Sequence, residues 1–200
     1  MEKIKFPILI EVVLPKIENK ILSLLKDIIL VLSFAILTGL SAQIKVEIGP
    51  VPITFQTFAV LLAGALLGAK KGAFSQLVYL SFGLTGIPWF ARGGGLAYVF
   101  SPTFGYIVGF VLCAFLVGFL AEKGFDRDFK KSILAMALGN LAIYLPGLLW
   151  LAKFVGPEKV LTIGFYPFII GDLLKLILAG LLLPISWKIV KIVKGQKIDH

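Results

Sequence analysis

Residues 166–187 read YPFIIGDLLKLILAGLLLPISW, an apolar run that contains two charged residues, Asp172 and Lys175. A helix needs roughly 17–25 residues to cross a bilayer, so this run is long enough to span a membrane. Further apolar runs precede it, and the sequence predicts six membrane-spanning helices in an all-α protein. The six runs are residues 27–44, 54–70, 72–89, 98–121, 132–153 and 166–187.

The composition supports a membrane protein, since 58% of the 200 residues are hydrophobic and only 16% are charged. An average soluble domain has roughly 45–50% apolar and about 25% charged residues. A chain of this length cannot hide so much apolar surface from water, so part of it must face lipid. The only cysteine is Cys113 and the only histidine is His200, which is the last residue. Because thiolate-bound metals and buried imidazoles are thereby disfavoured, we expect no catalytic residue, no metal site and no enzyme.

Lysine and arginine are distributed unevenly between the two sides of the predicted bundle. With the amino terminus in the cytoplasm, fifteen of the 20 basic residues fall inside, four fall outside and Lys175 lies within a span. This asymmetry predicts that both termini are cytoplasmic. It also explains the net charge of +9 as a determinant of topology and a contact with anionic membrane lipids. Nucleic acid is accordingly not an expected partner.

The predicted organisation has three parts. Residues 1–26 form a cytoplasmic amphipathic segment, residues 27–190 a six-helix transmembrane domain that binds substrate, and residues 191–200 a basic cytoplasmic tail. The second span meets the third at residues 70–72, which predicts a tight helical hairpin.

Asp172 and Lys175 are the strongest candidates for function, because ionisable groups inside a hydrophobic helix cost at least a few kcal/mol. They are three residues apart and share a helix face near the outer end of the last span. An internal ion pair without a further role explains them equally well. The topology places Arg92 in a glycine-rich outer loop, residues 90–97, so we expect three charges to converge on the outer side.

Other candidates are polar, aromatic or small residues within or beside the apolar spans. The polar and aromatic ones are Gln56, Trp89, Asn140 and Tyr144. Interhelical hydrogen bonding explains the polar ones as well as ligand binding does. Small residues spaced four apart let helix backbones approach closely, and most of them are expected to pack within the bundle. These pairs are Ala35/Gly39, Gly64/Gly68, Gly105/Gly109 and Ala114/Gly118.

Several motifs, in this order, resemble the BioY family over nearly the whole chain from about residue 30 onward. They are GPVPITFQTFAVLLAG at 49–64, GLTGIP at 83–88, SPTFGY at 101–106 followed by Gly109-Phe110, and Gly171-Asp172 with Lys175. BioY proteins are the biotin-binding S components of energy-coupling-factor (ECF) vitamin transporters.

The resemblance implies an S-component bundle of six helices in the bacterial cell membrane that captures biotin from outside. It implies as partners a transmembrane coupling subunit and two ATPase subunits, which alone use ATP. Matched by position, Asp172 and Lys175 contact biotin, whereas Ala35 and Gly39 contact the coupling subunit. Biotin is the transported substrate, so no cofactor is implied.

Biotin joins a carboxylate, through an apolar chain, to a ureido ring with two N–H donors and one carbonyl acceptor. Its site needs a cation, a polar acceptor, and apolar or aromatic walls. The residues that supply this set are Arg92, Asp172, Lys175, Gln56, Trp89, Asn140 and Tyr144. Lys175 is expected to meet the carboxylate and Asp172 a ureido N–H, with Arg92 as the alternative cation.

Other functions stay open at the level of sequence. One is a membrane scaffold or assembly protein that transports nothing, in which Asp172 and Lys175 only neutralise each other. Others are an S component for a different small vitamin that carries a carboxylate, and a membrane enzyme. The sequence contains no nucleotide-binding motif, so we expect that the chain does not itself hydrolyse ATP.

Overall fold

In the computed structural model, which describes residues 6–194, the chain is a bundle of helices with one short hairpin of strands. The helices are α1 (Leu9–Val13), α2 (Lys20–Gln43), α3 (Gln56–Leu84), α4 (Phe104–Ala121), α5 (Phe129–Val155), α6 (Val160–Gly164) and α7 (Ile169–Val193). Strands β1 (Lys45–Val46) and β2 (Ile53–Thr54) pair antiparallel and form the β hairpin, residues 45–54. Short 3-10 turns precede α4, α5 and α7 at Leu96–Phe100, Phe125–Arg127 and Tyr166–Phe168.

The ends of the first and last long helices differ from the sequence prediction. The side chain of Asn19 accepts hydrogen bonds from two backbone N–H groups of the first turn, so α2 begins at Lys20 rather than at residue 27. At the other end, α7 continues to Val193. The predicted domain boundaries at 26/27 and 190/191 therefore fall inside helices. Residues 1–5 and 195–200 of the predicted terminal segments lie outside the described residues.

The predicted helical hairpin is present within α3, but its turn lies at Gly68 rather than at residues 70–72. Gly68 has φ 79° and ψ 177°, which no helical residue adopts. A methyl group added to Gly72 would lie 2.9 Å from the Cα of Gly64, so the chain doubles back between these residues. Glycine fits this turn because it adopts positive φ without a steric penalty.

Helices α3, α4 and α5 form the centre of the bundle. Their backbones approach closely where they cross, because the glycines at the crossings have no side chain. A methyl group added to Gly64 would lie 2.6 Å from the carbonyl oxygen of Ala114 in α4. One added to Gly109 would lie 2.7 Å from the Cα of Ile143 in α5. The predicted close packing of small residues within the bundle is confirmed at these two crossings.

Helix α2 is more peripheral, since 17% of its apolar stretch is buried, against 56% in α3 and in α4. Its small residues face inward: Ala35 is fully buried, and a methyl group on Gly39 would lie 3.1 Å from the Trp89 side chain. The pair therefore packs inside this chain in the structure, and its contact with a coupling subunit stays a prediction. Ile36 and Leu40 are exposed on the uncovered side of the helix.

The described part of the amino-terminal segment is held against the connection between α4 and α5. The N–H of Phe6 donates to the carbonyl oxygen of Glu122 at 2.9 Å, and Arg127 Nη2 donates to that of Pro7 at 3.1 Å. The Arg127 guanidinium also lies 4.3 Å from the centre of the Trp187 ring, near the end of α7. Residues 6–13 thus lie at the end of the bundle away from the β hairpin.

Candidate functional site

A cavity lies between α3, α4, α5 and α7, beneath the β hairpin. Its lining comes from all four helices and from the β hairpin, and small-molecule sites are often found between the helices of a bundle. Most of its walls are apolar or aromatic, with a few polar groups among them. The lining residues are Val51, Pro52, Thr54, Gln56, Thr57, Ala91, Tyr98, Thr103, Tyr106, Ile107, Phe110, Asn140, Ile143, Tyr144, Phe168, Asp172 and Lys175.

Asp172 and Lys175 form a buried ion pair in the cavity wall, with Oδ1 and Nζ 3.2 Å apart. Lys175 Nζ also donates to the carbonyl oxygen of Thr54 and to Oγ1 of Thr57, each at 2.9 Å. The hydroxyl of Tyr144 donates to Asp172 Oδ2. All N–H donors of Lys175 are therefore engaged. Asp172 can accept further hydrogen bonds, because a carboxylate has about four lone-pair positions.

Two amide side chains line the cavity and differ in their hydrogen bonding. Gln56 donates through Nε2 to the hydroxyl of Tyr79 at 2.7 Å and accepts at Oε1 from Thr54 Oγ1 at 3.0 Å. Asn140 is 6% exposed, and among the described residues its buried Oδ1 has no hydrogen-bond partner. An unpaired buried carbonyl costs about 1–3 kcal/mol, so a ligand N–H that pairs with Asn140 removes this cost.

Aromatic rings form much of the remaining wall. They belong to Tyr98, Tyr106, Phe110, Tyr144 and Phe168. Tyr106 is fixed by its hydroxyl, which donates to the carbonyl oxygen of Gly164 at 2.9 Å. Tyr98, in the turn before α4, accepts from Thr103 Oγ1 at 2.9 Å, and burial raises its pKa, so its hydroxyl stays protonated. Flat apolar faces with fixed hydroxyls suit a ligand that has an apolar body.

The structure brings five of the seven predicted ligand residues to this cavity. These are Gln56, Asn140, Tyr144, Asp172 and Lys175. Arg92 is not among the lining residues, because its guanidinium is bonded to Glu47 in the β hairpin, with Nε 3.1 Å from Oε2. Contact with Arg92 lowers the pKa of Glu47, so the pair is charged at neutral pH. The predicted convergence of Arg92 with Asp172 and Lys175 is therefore not what the structure shows.

Trp89 also lies outside the cavity lining, although the sequence placed it in an aromatic wall. Its indole N–H donates to the carbonyl oxygen of Tyr79 at 2.9 Å, and its ring covers Gly39. The Trp89 ring also stacks on Phe82, with ring centres 6.0 Å apart. Trp89 thus packs α2 against α3 in the structure.

Sequence analysis missed several lining residues, and only some of them carried a signal. Thr54 and Thr57 flank Gln56 in the motif at 49–64, so hydroxyls at the start of an apolar span were the available indication. Ile107 and Ile143 carried none, because an apolar residue looks the same in sequence whether it faces a ligand, the core or lipid.

Comparison with known families adds to this geometry. The sequence model of the BioY family matches residues 15–192. The chain belongs to the BioY family. The BioY-family relatives include the probable biotin transporter BioY of Pyrococcus horikoshii, 45% identical over 151 residues that cover 75% of this chain and 89% of that protein. The biotin transporter BioY of Thermotoga maritima is 38% identical over 151 residues, covering 74% of this chain and 88% of that protein.

A solved structure matches this BioY-family chain as well. It is the S-component for biotin from an ECF-type ABC transporter, with a TM-score of 0.73 and 25% sequence identity. The match covers 90% of this chain and 96% of that structure. The predicted family and S-component-like bundle are thereby confirmed, and the relatives are named as transporters rather than enzymes.

Proposed function

We propose that this BioY-family protein is the substrate-capturing S component of an ECF transporter and binds biotin in the cavity beneath the β hairpin. The observation that carries the proposal is the buried Asp172–Lys175 pair, which presents an acceptor and a donor side by side between aromatic walls. The names of the relatives and of the matched structure support biotin as the ligand.

The ureido ring of biotin is complementary to this pair. Each ureido edge carries a carbonyl acceptor beside an N–H donor. Lys175 offers a donor for the carbonyl, and Asp172 offers an acceptor for the N–H. We propose that Asp172 accepts one ureido N–H and that Lys175 donates to the carbonyl in place of the Thr57 hydroxyl. Asn140 Oδ1, which lacks a partner among residues 6–194, would accept the second N–H. Every polar atom of the ring is then paired.

The separation within the ion pair decides the orientation of the ligand. Because Lys175 Nζ and Asp172 Oδ1 are 3.2 Å apart, both serve the same end of an extended ligand. This revises the expectation that Lys175 meets the carboxylate while Asp172 meets the ureido ring. A carboxylate at Lys175 would also be repelled by Asp172. We therefore place the carboxylate at the end of the cavity away from this ion pair.

Energised transport needs partners beyond this chain. Its sequence has no nucleotide-binding motif, so we propose that ATP is used by two ATPase subunits that are joined to it through a transmembrane coupling subunit. We place that coupling contact on the uncovered side of α2, where Ile36 and Leu40 are exposed. Gly39, which with Ala35 is the contact that the resemblance implied, is covered by the Trp89 side chain in this structure. Membrane lipids cover the remaining apolar surface.

We also propose six crossings of the cell membrane with both termini in the cytoplasm. Within residues 6–194, five helical segments are long and apolar enough to span a bilayer, and the turn at Gly68 divides α3 into two arms. Six crossings return the carboxyl terminus to the side of the amino terminus. The uneven distribution of lysine and arginine supports the cytoplasm as that side.

Thiol labelling checks this topology. In a Cys113→Ala background, Lys70→Cys lies beside the Gly68 turn and Lys159→Cys lies in the connection between α5 and α6. In intact cells, a maleimide that cannot cross membranes should label Lys159→Cys and leave Lys70→Cys unlabelled until the cells are opened. Strong labelling of Lys70→Cys in intact cells contradicts the topology.

Uptake of labelled biotin tests the function. Cells without biotin uptake of their own receive this chain together with an energising module. We expect label to accumulate with the wild-type chain and not with an Asp172→Asn/Lys175→Met double variant. A scaffold or assembly protein would leave uptake equally low with and without the chain. An S component for another vitamin would raise uptake of that vitamin and not of biotin.

A further inference from the structure

Arg92 connects two outer segments of the chain and does not face the cavity. Its guanidinium donates to Glu47 through Nε at 3.1 Å and through Nη2. It also donates to the carbonyl oxygens of Gly49 at 2.6 Å and Pro50 at 2.9 Å. The Arg92 side chain is therefore bonded to three residues in the tip of the β hairpin, residues 47–52. Binding of a ligand by Arg92 would leave these bonds unexplained.

The tip of the β hairpin covers the cavity. Val51 and Pro52 line the cavity from above, and Val51 is buried. The two strands pair over only two residues each, and residues 45–49 are exposed. A hairpin this short has little stability by itself, so its position depends on what holds its tip.

The loop that carries Arg92 is fixed, in contrast to the hairpin. Phe90 is 1% exposed, and its ring fills the space beside Gly83, where an added methyl group would lie 2.0 Å away. The N–H of Gly95 donates to the carbonyl oxygen of Gly83 at 2.7 Å, and Phe90 forms an antiparallel bridge with Gly93. Arg92 thus extends from a well-packed loop to the weakly stabilised β hairpin.

We propose that Arg92 and Glu47 form a clasp that holds the β hairpin closed over a ligand in the cavity and so sets the rate of ligand release. Arg92 is then a positioning residue, which acts through the hairpin without touching the ligand. The inference rests on the proposed function for the identity of that ligand as biotin. The side chains of Arg92 and Glu47 are 38% and 46% exposed, so salt screens the pair and release quickens as ionic strength rises.

Lys45 forms a second ion pair with the carboxylate of Glu47. Its Nζ lies 3.3 Å from Glu47 Oε1 and donates to the carbonyl oxygen of Ala91, which lines the cavity. Replacing Glu47 by Arg therefore sets three cations against one another, whereas replacing Arg92 by Glu leaves Lys45 between two carboxylates. Glu47→Arg is expected to loosen the hairpin more than Arg92→Glu does.

Exchange of the two charges tests the clasp. Wild type, Arg92→Glu, Glu47→Arg and the double variant are loaded with labelled biotin, and release is followed after addition of excess unlabelled biotin. Each single variant should release biotin at least about fivefold faster than wild type. The double variant, which restores opposite charges, should return to within about threefold of wild type. A double variant that releases as fast as the faster single variant overturns the clasp.

Biotin amide, which lacks the anionic carboxylate, separates a clasp from a direct contact. If Arg92 acts through the hairpin, Arg92→Gln speeds release of biotin and of biotin amide by the same factor. If only the release of biotin quickens, Arg92 binds the carboxylate of the ligand and the inference is wrong, although the cavity is still the site.

A measurement without ligand tests the clasp even if the protein binds no biotin. In a Cys113→Ala background, Val51→Cys places a thiol under the hairpin, where it should react slowly with a maleimide. Arg92→Glu should raise that rate at least about fivefold, and adding Glu47→Arg should lower it again. Equal rates in all of these proteins overturn the clasp. If the maleimide reaction rates change as expected but the protein binds no biotin, the clasp is supported and only the proposed function is wrong.

Discussion

Replacing Lys175 by Met is expected to weaken biotin binding by at least about 2 kcal/mol, which is roughly 30-fold in affinity. The variant removes the buried donor to the ureido carbonyl and leaves the Asp172 carboxylate without its cation. Asp172→Asn is expected to weaken binding as well, because a charged acceptor for a ureido N–H is lost. Titration of the purified variants with labelled biotin measures both effects.

The double variant Asp172→Asn/Lys175→Met separates a ligand site from a self-neutralising ion pair. A buried pair that exists only for itself is often replaced by matched neutral groups at little cost, so its loss would leave biotin affinity nearly unchanged. If the pair binds the ureido ring, the double variant is no better than the worse single variant. A melting temperature for each protein shows that a loss of affinity is not a loss of fold.

Iminobiotin identifies which end of the ligand Lys175 meets. Its ring carries a guanidinium in place of the urea, and this group is protonated at neutral pH like that of arginine. Wild type should therefore bind biotin much more tightly than iminobiotin. Lys175→Met should reduce the ratio of the two affinities at least about tenfold. If Lys175 instead meets the carboxylate, the variant loses biotin and iminobiotin equally and leaves the affinity for biotin amide unchanged.

Asn140→Leu is expected to change affinity and stability in opposite directions. Leu has the same branched shape as Asn but cannot accept a ureido N–H, so biotin should bind at least about tenfold more weakly. In the ligand-free protein the same change removes a buried carbonyl that has no partner within the described chain, so the melting temperature should rise. Calorimetric titration and thermal unfolding of one preparation measure the two effects.

Gln76→Leu is the matched control for Asn140→Leu. Gln76 is also a fully buried amide, but it accepts from Thr38 at 3.3 Å, donates to Ser75 at 3.0 Å and does not line the cavity. Its replacement removes two buried side-chain hydrogen bonds, so the melting temperature should fall while biotin affinity stays the same. Equal effects of the two variants on affinity would mean that Asn140 acts only through packing.

Much of the fold could be predicted because membrane spans follow from length and hydropathy. The sequence also indicated the helical hairpin, since two apolar runs met at a few basic and small residues. The turn at Gly68 could not be located, because its positive φ depends on how the two arms pack and not on local composition. The early start of α2 was missed because Asn19 caps it ahead of the apolar run.

The lining of the cavity was predictable where polar residues interrupt apolar spans, as Gln56, Asn140 and Asp172 do. Arg92 and Trp89 were misplaced because topology assigns a residue to a side of the membrane and not to a partner. The acidic residue that engages Arg92, Glu47, lies 45 positions away in the hairpin, and nothing local links the two. Charge on the outer side therefore suggested a ligand contact where the structure has an ion pair.

Equilibrium binding of labelled biotin to the purified wild-type protein tests the central claim most directly. Pantothenate, which has a carboxylate but no ureido ring, and riboflavin serve as competitors. We expect saturable binding of one biotin per chain, which unlabelled biotin displaces and a large excess of either competitor does not. Absence of saturable binding, or displacement by pantothenate as effective as that by biotin, contradicts a site built to bind the ureido ring.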